Sequence, residues 1–406
     1  MSWETVRFGD LYAVESRNGL TKPSKVRGSG YKMINMGELF ANDRIYDIPM
    51  ELVPLKESEK TNAKVNAGDL LFARQSLVLE GAGKCSIVME VSPLTVFESH
   101  LIRVRLDATQ ALPMFYYYYF KSPLSPMMSI VSQCAQAGIR GSDLQELQVV
   151  LPPLKIQQRV VDVLSAYDDL IETNQKQIKL LEEAAQRLYK EWFVDLRFPG
   201  YETTPLVNGI PEGWEEKAME DICDSIGGGT PSTKNSEYYC GGKIKWVTPT
   251  DITRKSGLIL LDTEKKITEE GLRSSSAKMV PPYTILMTSR ASVGFFGLCE
   301  YEVCTNQGFI SCVPYQEKVR PYLLHNLMSR VDEVRAKASG STFLEISKKT
   351  FRALRIILPS DCILETFNKQ IWPMVKQMEA LTKSIVKLQE TRDRLLPKLM
   401  SGEVEV

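Results

Sequence analysis

Histidine is nearly absent: the 406 residues include two, His100 and His325. Eight cysteines (85, 134, 223, 240, 299, 304, 312 and 362) form no C-x-x-C pair. A zinc site needs closely spaced Cys and His ligands, and this chain offers no such spacing. So long a chain also does not need a disulfide framework, and the thiols are expected to be reduced. No run of about 18 apolar residues occurs, which leaves no transmembrane helix. The opening residues, Met1 to Asp10, interleave Glu4, Arg7 and Asp10 with apolar positions, unlike a signal peptide. A cytoplasmic protein without membrane association is expected. An excess of one charge is missing too, since 50 basic and 50 acidic residues cancel. Residues 1–153 carry 16 of each sign, and residues 207–358 carry 20 basic against 18 acidic. This argues against a histone-like binder driven by bulk counterion release. Any nucleic-acid contact must come from local patches or from a basic partner.

Catalytic signatures are also wanting. Val280-Pro281-Pro282-Tyr283 has the outline of the N/D-P-P-Y/F motif of adenine methyltransferases, but Val280 stands where a polar residue must hold the exocyclic amine. It reads as a turn. Gly227-Gly228-Gly229-Thr230 lacks the spacing and the Lys-Ser/Thr ending of a phosphate-binding loop. Asp251 with Glu264-Lys265-Lys266 formally fits a metal-dependent nuclease, yet the first half of the chain has no counterpart, and a solvated strand end explains it. There is no nucleophile elbow, no His-Glu-x-x-His and no dinucleotide fingerprint. The chain reads as non-catalytic, with no metal and no cofactor of its own.

What the sequence does contain is a repeat. Leu147-Gln148-Val149-Val150-Leu151-Pro152 returns as Leu354-Arg355-Ile356-Ile357-Leu358-Pro359, 207 residues later. The offset then holds without a gap: Ile178 with Ile385, Leu181 with Leu388, Arg187 with Arg394. Trp3-Glu4 answers Trp214-Glu215, and Leu71-Phe72-Ala73-Arg74-Gln75-Ser76 loosely echoes Leu286-Met287-Thr288-Ser289-Arg290-Ala291-Ser292. The chain is two copies of one unit, each a mixed domain followed by a helix.

In the helical stretches a mostly apolar line steps by three and four through Leu164, Tyr167, Ile171, Asn174, Ile178, Leu181, Ala185, Leu188 and Trp192. Its second copy runs through Ile371, Met374, Met378, Leu381, Ile385, Leu388, Arg392, Leu395 and Leu399. Four heptads with Asn174 and Arg392 as polar exceptions predict a coiled-coil seam. Each stretch of about 39 residues spans roughly 58 Å. If the helices share this seam they pair antiparallel, about a pseudo-twofold axis, and the carboxyl end at Val406 returns to the first domain. Pro373, where the first copy has Ala166, predicts a kink or restart. The stretches outside the helices show short apolar runs between Gly, Pro and Ser clusters and read as β-rich, each with one short helix near its end, at about Met114–Lys121 and Pro321–Leu327. The expected fold is thus α+β: two β-rich mixed domains separated by two long helices forming an antiparallel coiled coil. The segments are 1–153, 154–198, 199–358 and 359–406.

Several strings resemble one family. Asp143-Leu144-Gln145-Glu146-Leu147, Val150-Leu151-Pro152-Pro153-Leu154 and Gln157-Gln158-Arg159 precede and open the first helix, and Leu188-Tyr189-Lys190-Glu191-Trp192-Phe193 through Arg197-Phe198-Pro199-Gly200 closes it. Ile210-Pro211-Glu212-Gly213-Trp214, Gly229-Thr230-Pro231-Ser232 and Trp246-Val247-Thr248-Pro249 open the second domain. Together they resemble the specificity (S) subunit of type I restriction-modification enzymes. The first domain departs from the pattern, with Thr21-Lys22-Pro23-Ser24-Lys25 in place of the Gly-Thr-Pro string, so the two domains are expected to read different sequences. The resemblance implies a non-catalytic subunit with two target-recognition domains, each reading half of a bipartite site in double-stranded DNA. It implies two modification (methyltransferase) subunits and two restriction subunits as partners, with S-adenosylmethionine, ATP and magnesium bound by those partners. The complex would be an adenine-N6 methyltransferase and an ATP-driven endonuclease. A stand-alone DNA-binding regulator and a coiled-coil scaffold are the competing readings.

Base-edge chemistry selects the candidate contacts: Arg for guanine, Asn or Gln for adenine, Ser or Thr for either, Lys for phosphate. In the first domain these are Arg74, Gln75 and Ser76 after an apolar strand, Arg140 in a turn, and the basic run Lys22, Lys25, Arg27 and Lys32. In the second they are Thr230, Ser232, Lys243, Lys245, Arg290, Ser292, Asn306 and Gln307. Trp246 is expected in the core, and His100 and His325 are expected to be structural.

Overall fold

The computed structural model describes residues 3–133, 136–340 and 343–404. Cys134 and Val406 lie outside them. The other seven cysteines are unpaired, and no helix among the described residues is long and apolar enough to cross a membrane. The packing divides the chain differently from the four sequence segments. Two compact units form, Met1–Leu170 with Leu388–Val406, and Ile171–Lys387, so each takes a share of both long helices.

In the first unit the strands Tyr12–Asn18, Leu101–Leu106, Leu70–Ala73, Cys85–Val88 and Arg44–Ile45 form one sheet in that order. A second sheet sets Tyr31–Ile34 between Glu51–Val53 and, parallel to it, Val96–Phe97. Leu70–Ala73 and Cys85–Val88 are buried on both faces, which is why these runs are continuously apolar rather than alternating. The second unit repeats the order with Cys223–Gly227, Phe309–Pro314, Ile285–Thr288 and Phe296–Gly297, and it keeps the parallel pair as Ile244–Val247 with Val303–Thr305. Each domain is closed by pairing its opening strand with the strand before its long helix. Glu4 faces Leu151 in one, and Glu215 faces Leu358 in the other.

The first long helix is Leu154–Tyr189, followed by one π-helical turn at Lys190–Val194, and the second is Asp361–Ser401. No restart occurs at Pro373, because the second helix runs through it without a break. Pro373 lies on the exposed side, where the carbonyl its missing N–H leaves free can meet water. Within each unit the two helices run antiparallel. Asn174 Nδ2 donates to Ser384 Oγ at 3.2 Å in the second unit, where Tyr189 and Phe367 also meet edge to face. In the first, Arg392 bonds Asp168 at 2.5 Å. Gly402 lies against the Trp3 ring, so the end of the second helix returns to the residue before the first strand.

The seam is wider than the heptad line. Leu164, Ile171, Ile178, Ala185, Ile371 and Met378 are buried, but Leu181, Leu188, Ile385, Leu388 and Leu395 are only half-buried. Beside them Asp168, Tyr189, Val375 and Leu396, each one position on from a predicted contact, are buried instead. Each helix end packs on its own domain as well as on the other helix, so a broad stripe of period 3.6 replaces the narrow one of 3.5. The short helices responsible are Pro113–Lys121 and Arg320–Ser329. The first inserts Phe115 to Phe120 into the core and bonds Asp168 through the Tyr118 hydroxyl at 2.7 Å. The second sets His325 against Gln186 at 3.1 Å and stacks it on Tyr189. Burial lowers the His325 pKa to about 4, so this ring is neutral and structural, as expected.

Candidate nucleic-acid interface

Residues that the sequence offered separately meet at the end of the central sheet in each domain. After Leu70–Ala73 the chain leaves the sheet, and the Arg74 N–H donates to the His100 carbonyl at 2.8 Å. The Arg74 carbonyl accepts from the Ile139 N–H at 2.9 Å, Gln75 pairs with Gly138, and Ser76 pairs with Ala137. Arg74, Gln75 and Ser76 therefore share one small sheet with the segment leading to Arg140, which is exposed at the start of the helix Gly141–Glu146. His100 belongs to this edge too. Its side chain is 53% exposed, with Nδ1 3.4 Å from Glu98. Leu77, 88% exposed, forms the apolar rim.

The second domain builds the same edge from other side chains. The Ser289 N–H donates to the Gly308 carbonyl at 2.7 Å, and the Ile346 N–H donates to the Ser289 carbonyl at 3.0 Å. Arg290 then pairs across to Glu345, with Nε and Oε2 3.6 Å apart and both side chains 45% exposed. Ser292 follows on the same turn, its N–H donating to the Arg290 carbonyl at 2.7 Å. The Thr230 hydroxyl donates to Gln307 Oε1, and Asn306 Oδ1 accepts from the Gly308 N–H at 2.9 Å. Thr230, Asn306, Gln307 and Arg290 thus converge. Gly228 permits this convergence. A Cβ there would sit 2.1 Å from the carbonyl oxygens of Thr305 and Asn306, and Gly19 makes the same approach to Phe97. Trp246 is buried and donates from Nε1 to the Gly229 carbonyl at 2.9 Å, holding the glycine string from beneath.

Not every basic candidate is free. Lys22 is paired with Glu59 at 2.8 Å, Arg27 with Glu51 at 2.5 Å and Lys32 with Asp47 at 2.7 Å. The first-domain run therefore presents little net positive charge, and Lys25 alone of the four has no carboxylate partner among the described residues. Lys245 bonds the Leu261 carbonyl at 3.0 Å, lies 3.4 Å from Asp262 and rests 3.3 Å over the Tyr301 ring. Lys243 and Ser232 are exposed. Asp251 caps Thr248 and accepts from the Glu264 N–H at 2.8 Å, so its carboxylate holds a turn. Sequence reasoning missed Glu345 and His100. The repeat could have signalled Glu345, which lies 207 residues after Gly138 and two before the counterpart of Arg140.

Residues 1–183 and 211–391 both match the type I restriction modification DNA specificity domain. The specificity subunit of the HindI type I restriction enzyme of Haemophilus influenzae is 24% identical across 99% of both chains. That of the MjaIX enzyme of Methanocaldococcus jannaschii is 33% identical over 191 residues, 45% of this chain and 44% of that one. The fold is shared with the S subunit of a type I restriction-modification system from M. genitalium, with a TM-score of 0.58, 15% identity, and coverage of 98% of this chain and 96% of that one.

Proposed function

Since the chain belongs to the family of type I restriction-modification specificity subunits, we propose that its two domains read different halves of one bipartite target in double-stranded DNA. One observation carries this reading: a single scaffold edge is built twice with different polar groups. The first presents Arg74 and Gln75 opposite Gly138, and the second presents Ser289 and Arg290 opposite Glu345. Base readout depends on which donors and acceptors a fixed backbone holds out, so two differently furnished edges select different bases.

The subunit works with other subunits and with DNA. In our reading two methyltransferase subunits bind it to make an adenine-N6 methyltransferase, and two restriction subunits complete an ATP-dependent endonuclease. S-adenosylmethionine, ATP and magnesium are held by those partners, in the cytoplasm. The long helices fix the unread spacer between the half-sites. Lengthening both helices by seven residues at matching rungs, after Lys176 and after Leu381, keeps the seam in phase and adds about 10.5 Å. The expected result is a spacer about three base pairs longer with the same bases read, scored as methylation of a library of randomised spacers by the assembled complex. A folded, active variant with the original spacer would show that the partners set the distance.

A further inference from the structure

The two long helices do not meet on equivalent residues. In the first unit the Asp168 carboxylate is buried and accepts from Arg392 at 2.5 Å and from the Tyr118 hydroxyl at 2.7 Å. The 207-residue repeat carries Asp168 to Val375 and Arg392 to Ala185, and both counterparts are buried in the apolar core of the second unit. The residue numbers of each pair have the same sum, so these are the same rung of the antiparallel pairing, polar in one unit and apolar in the other. The next polar contact, Asn174 with Ser384, has Leu381 and Gln177 as its repeat counterparts.

We propose that the Asp168–Arg392 pair makes the seam selective for unlike helices, so that the first long helix pairs with the second and rejects the first helix of another copy of this chain. The two halves are repeats, and the rest of the stripe is therefore close to self-complementary. Two first helices in the same register would place each Asp168 against the other copy's Ala185. Two buried carboxylates would then face a methyl group where Arg392 had stood, left with the Tyr118 hydroxyl and with an Arg44 guanidinium already bonded to the adjacent Asp169 at 2.7 Å. Removing the partner of a buried charge is among the most damaging changes a core can suffer, whereas an apolar rung tolerates exchange. Arg392 keeps Asp393 at 2.8 Å in any pairing, so Asp168 carries the larger share of the discrimination. The consequence is a subunit that always holds two different recognition domains rather than two copies of one.

The test uses the full chain with a protease site introduced at Tyr201–Thr203, which is exposed and outside the long helices, and cleaved after folding. Two preparations with different amino-terminal tags are mixed in mild denaturant until their second halves have equilibrated. One tag is then captured and the other measured. For the parent, cross-capture of first halves should lie on the order of a hundredfold below recovery of second halves. D168V/R392A, which writes the Val375–Ala185 rung into the first unit, should raise cross-capture to within about tenfold of that recovery. D168R/R392D should return it to the parent level. If D168V/R392A does not fold, D168N/R392A, which keeps an acceptor for Tyr118, takes its place with the same expectation. Cross-capture in the parent equal to that of the apolar variant, an apolar variant as exclusive as the parent, or a charge-reversed variant that cross-pairs would each overturn the proposal.

Discussion

Arg290 is the sharpest test of the reading edge, because the free protein already offers it a partner. The Arg290–Glu345 pair is 3.6 Å apart and half-exposed on both sides, so water screens it to below about 1 kcal/mol. A bidentate contact to guanine discriminates by about 1–3 kcal/mol. Releasing Arg290 from Glu345 subtracts the smaller quantity from the larger. Arg290→Ala should therefore cost about 1–2 kcal/mol, roughly 5- to 30-fold in preference, at one base of one half-site. The other half-site, read by the first domain, should be unchanged. Glu345→Ala removes the competitor and a carboxylate near phosphate, and should raise binding by up to about fivefold on specific and random DNA alike. In the double variant the base preference should equal that of Arg290→Ala alone. The assay is methylation of a randomised half-site library by the assembled complex, with binding repeated at two salt concentrations. Equal weakening of Arg290→Ala on all sequences would make Arg290 a phosphate contact, and no change would remove it from the interface. Loss of preference in Glu345→Ala would mean that the carboxylate itself reads a base.

Gly228→Ala should destabilise the second domain by about 1–3 kcal/mol and separate Thr230 from Gln307, since the added methyl has 2.1 Å to two carbonyl oxygens. Gly37→Ala, where a methyl meets open space, is the control in urea denaturation, and equal stability of the two variants would refute the close-approach argument. Leu164→Ala and Ile371→Ala, both at wholly buried positions, should each cost about 2–5 kcal/mol. Asp at half-buried Leu181 or Leu388 should be less damaging than Asp at Leu164, measured as soluble yield and melting temperature. His325 is held neutral with a pKa of about 4 against an ordinary 6.5. The unfolded chain therefore takes up a proton first as pH falls, and stability present above pH 6.5 is lost down to about pH 4. The loss is about 2 kcal/mol between pH 7 and pH 5, and His325→Gln should flatten that slope in denaturation curves taken at both values.

The repeat, the two long helices and the β-rich domains were legible in residue order because each rests on local periodicity. An apolar stripe declares a helix wherever it packs, and a constant offset between Leu147 and Leu354 needs no folding to be seen. The turn at Val280–Tyr283, the buried Trp246 and the structural role of His325 could be read for the same reason, from side-chain character against local surroundings. Which polar residues share an edge could not be read this way. Arg74 and Ile139 are far apart in sequence and joined by one backbone hydrogen bond, and Glu345 gained meaning only through the strand that sets it across from Arg290. Lys22, Arg27 and Lys245 looked free because ion pairing with Glu59, Glu51 and Asp262 depends on loops brought together from elsewhere. Asp168 was the most hidden, one position off the heptad line. Composition and periodicity determined the architecture, since burying apolar surface is a property of single segments. Charge partners, and with them the furnished edge and the polar rung of the helices, were decided by tertiary structure, because an ion pair exists only when two distant segments place opposite charges within a few ångströms.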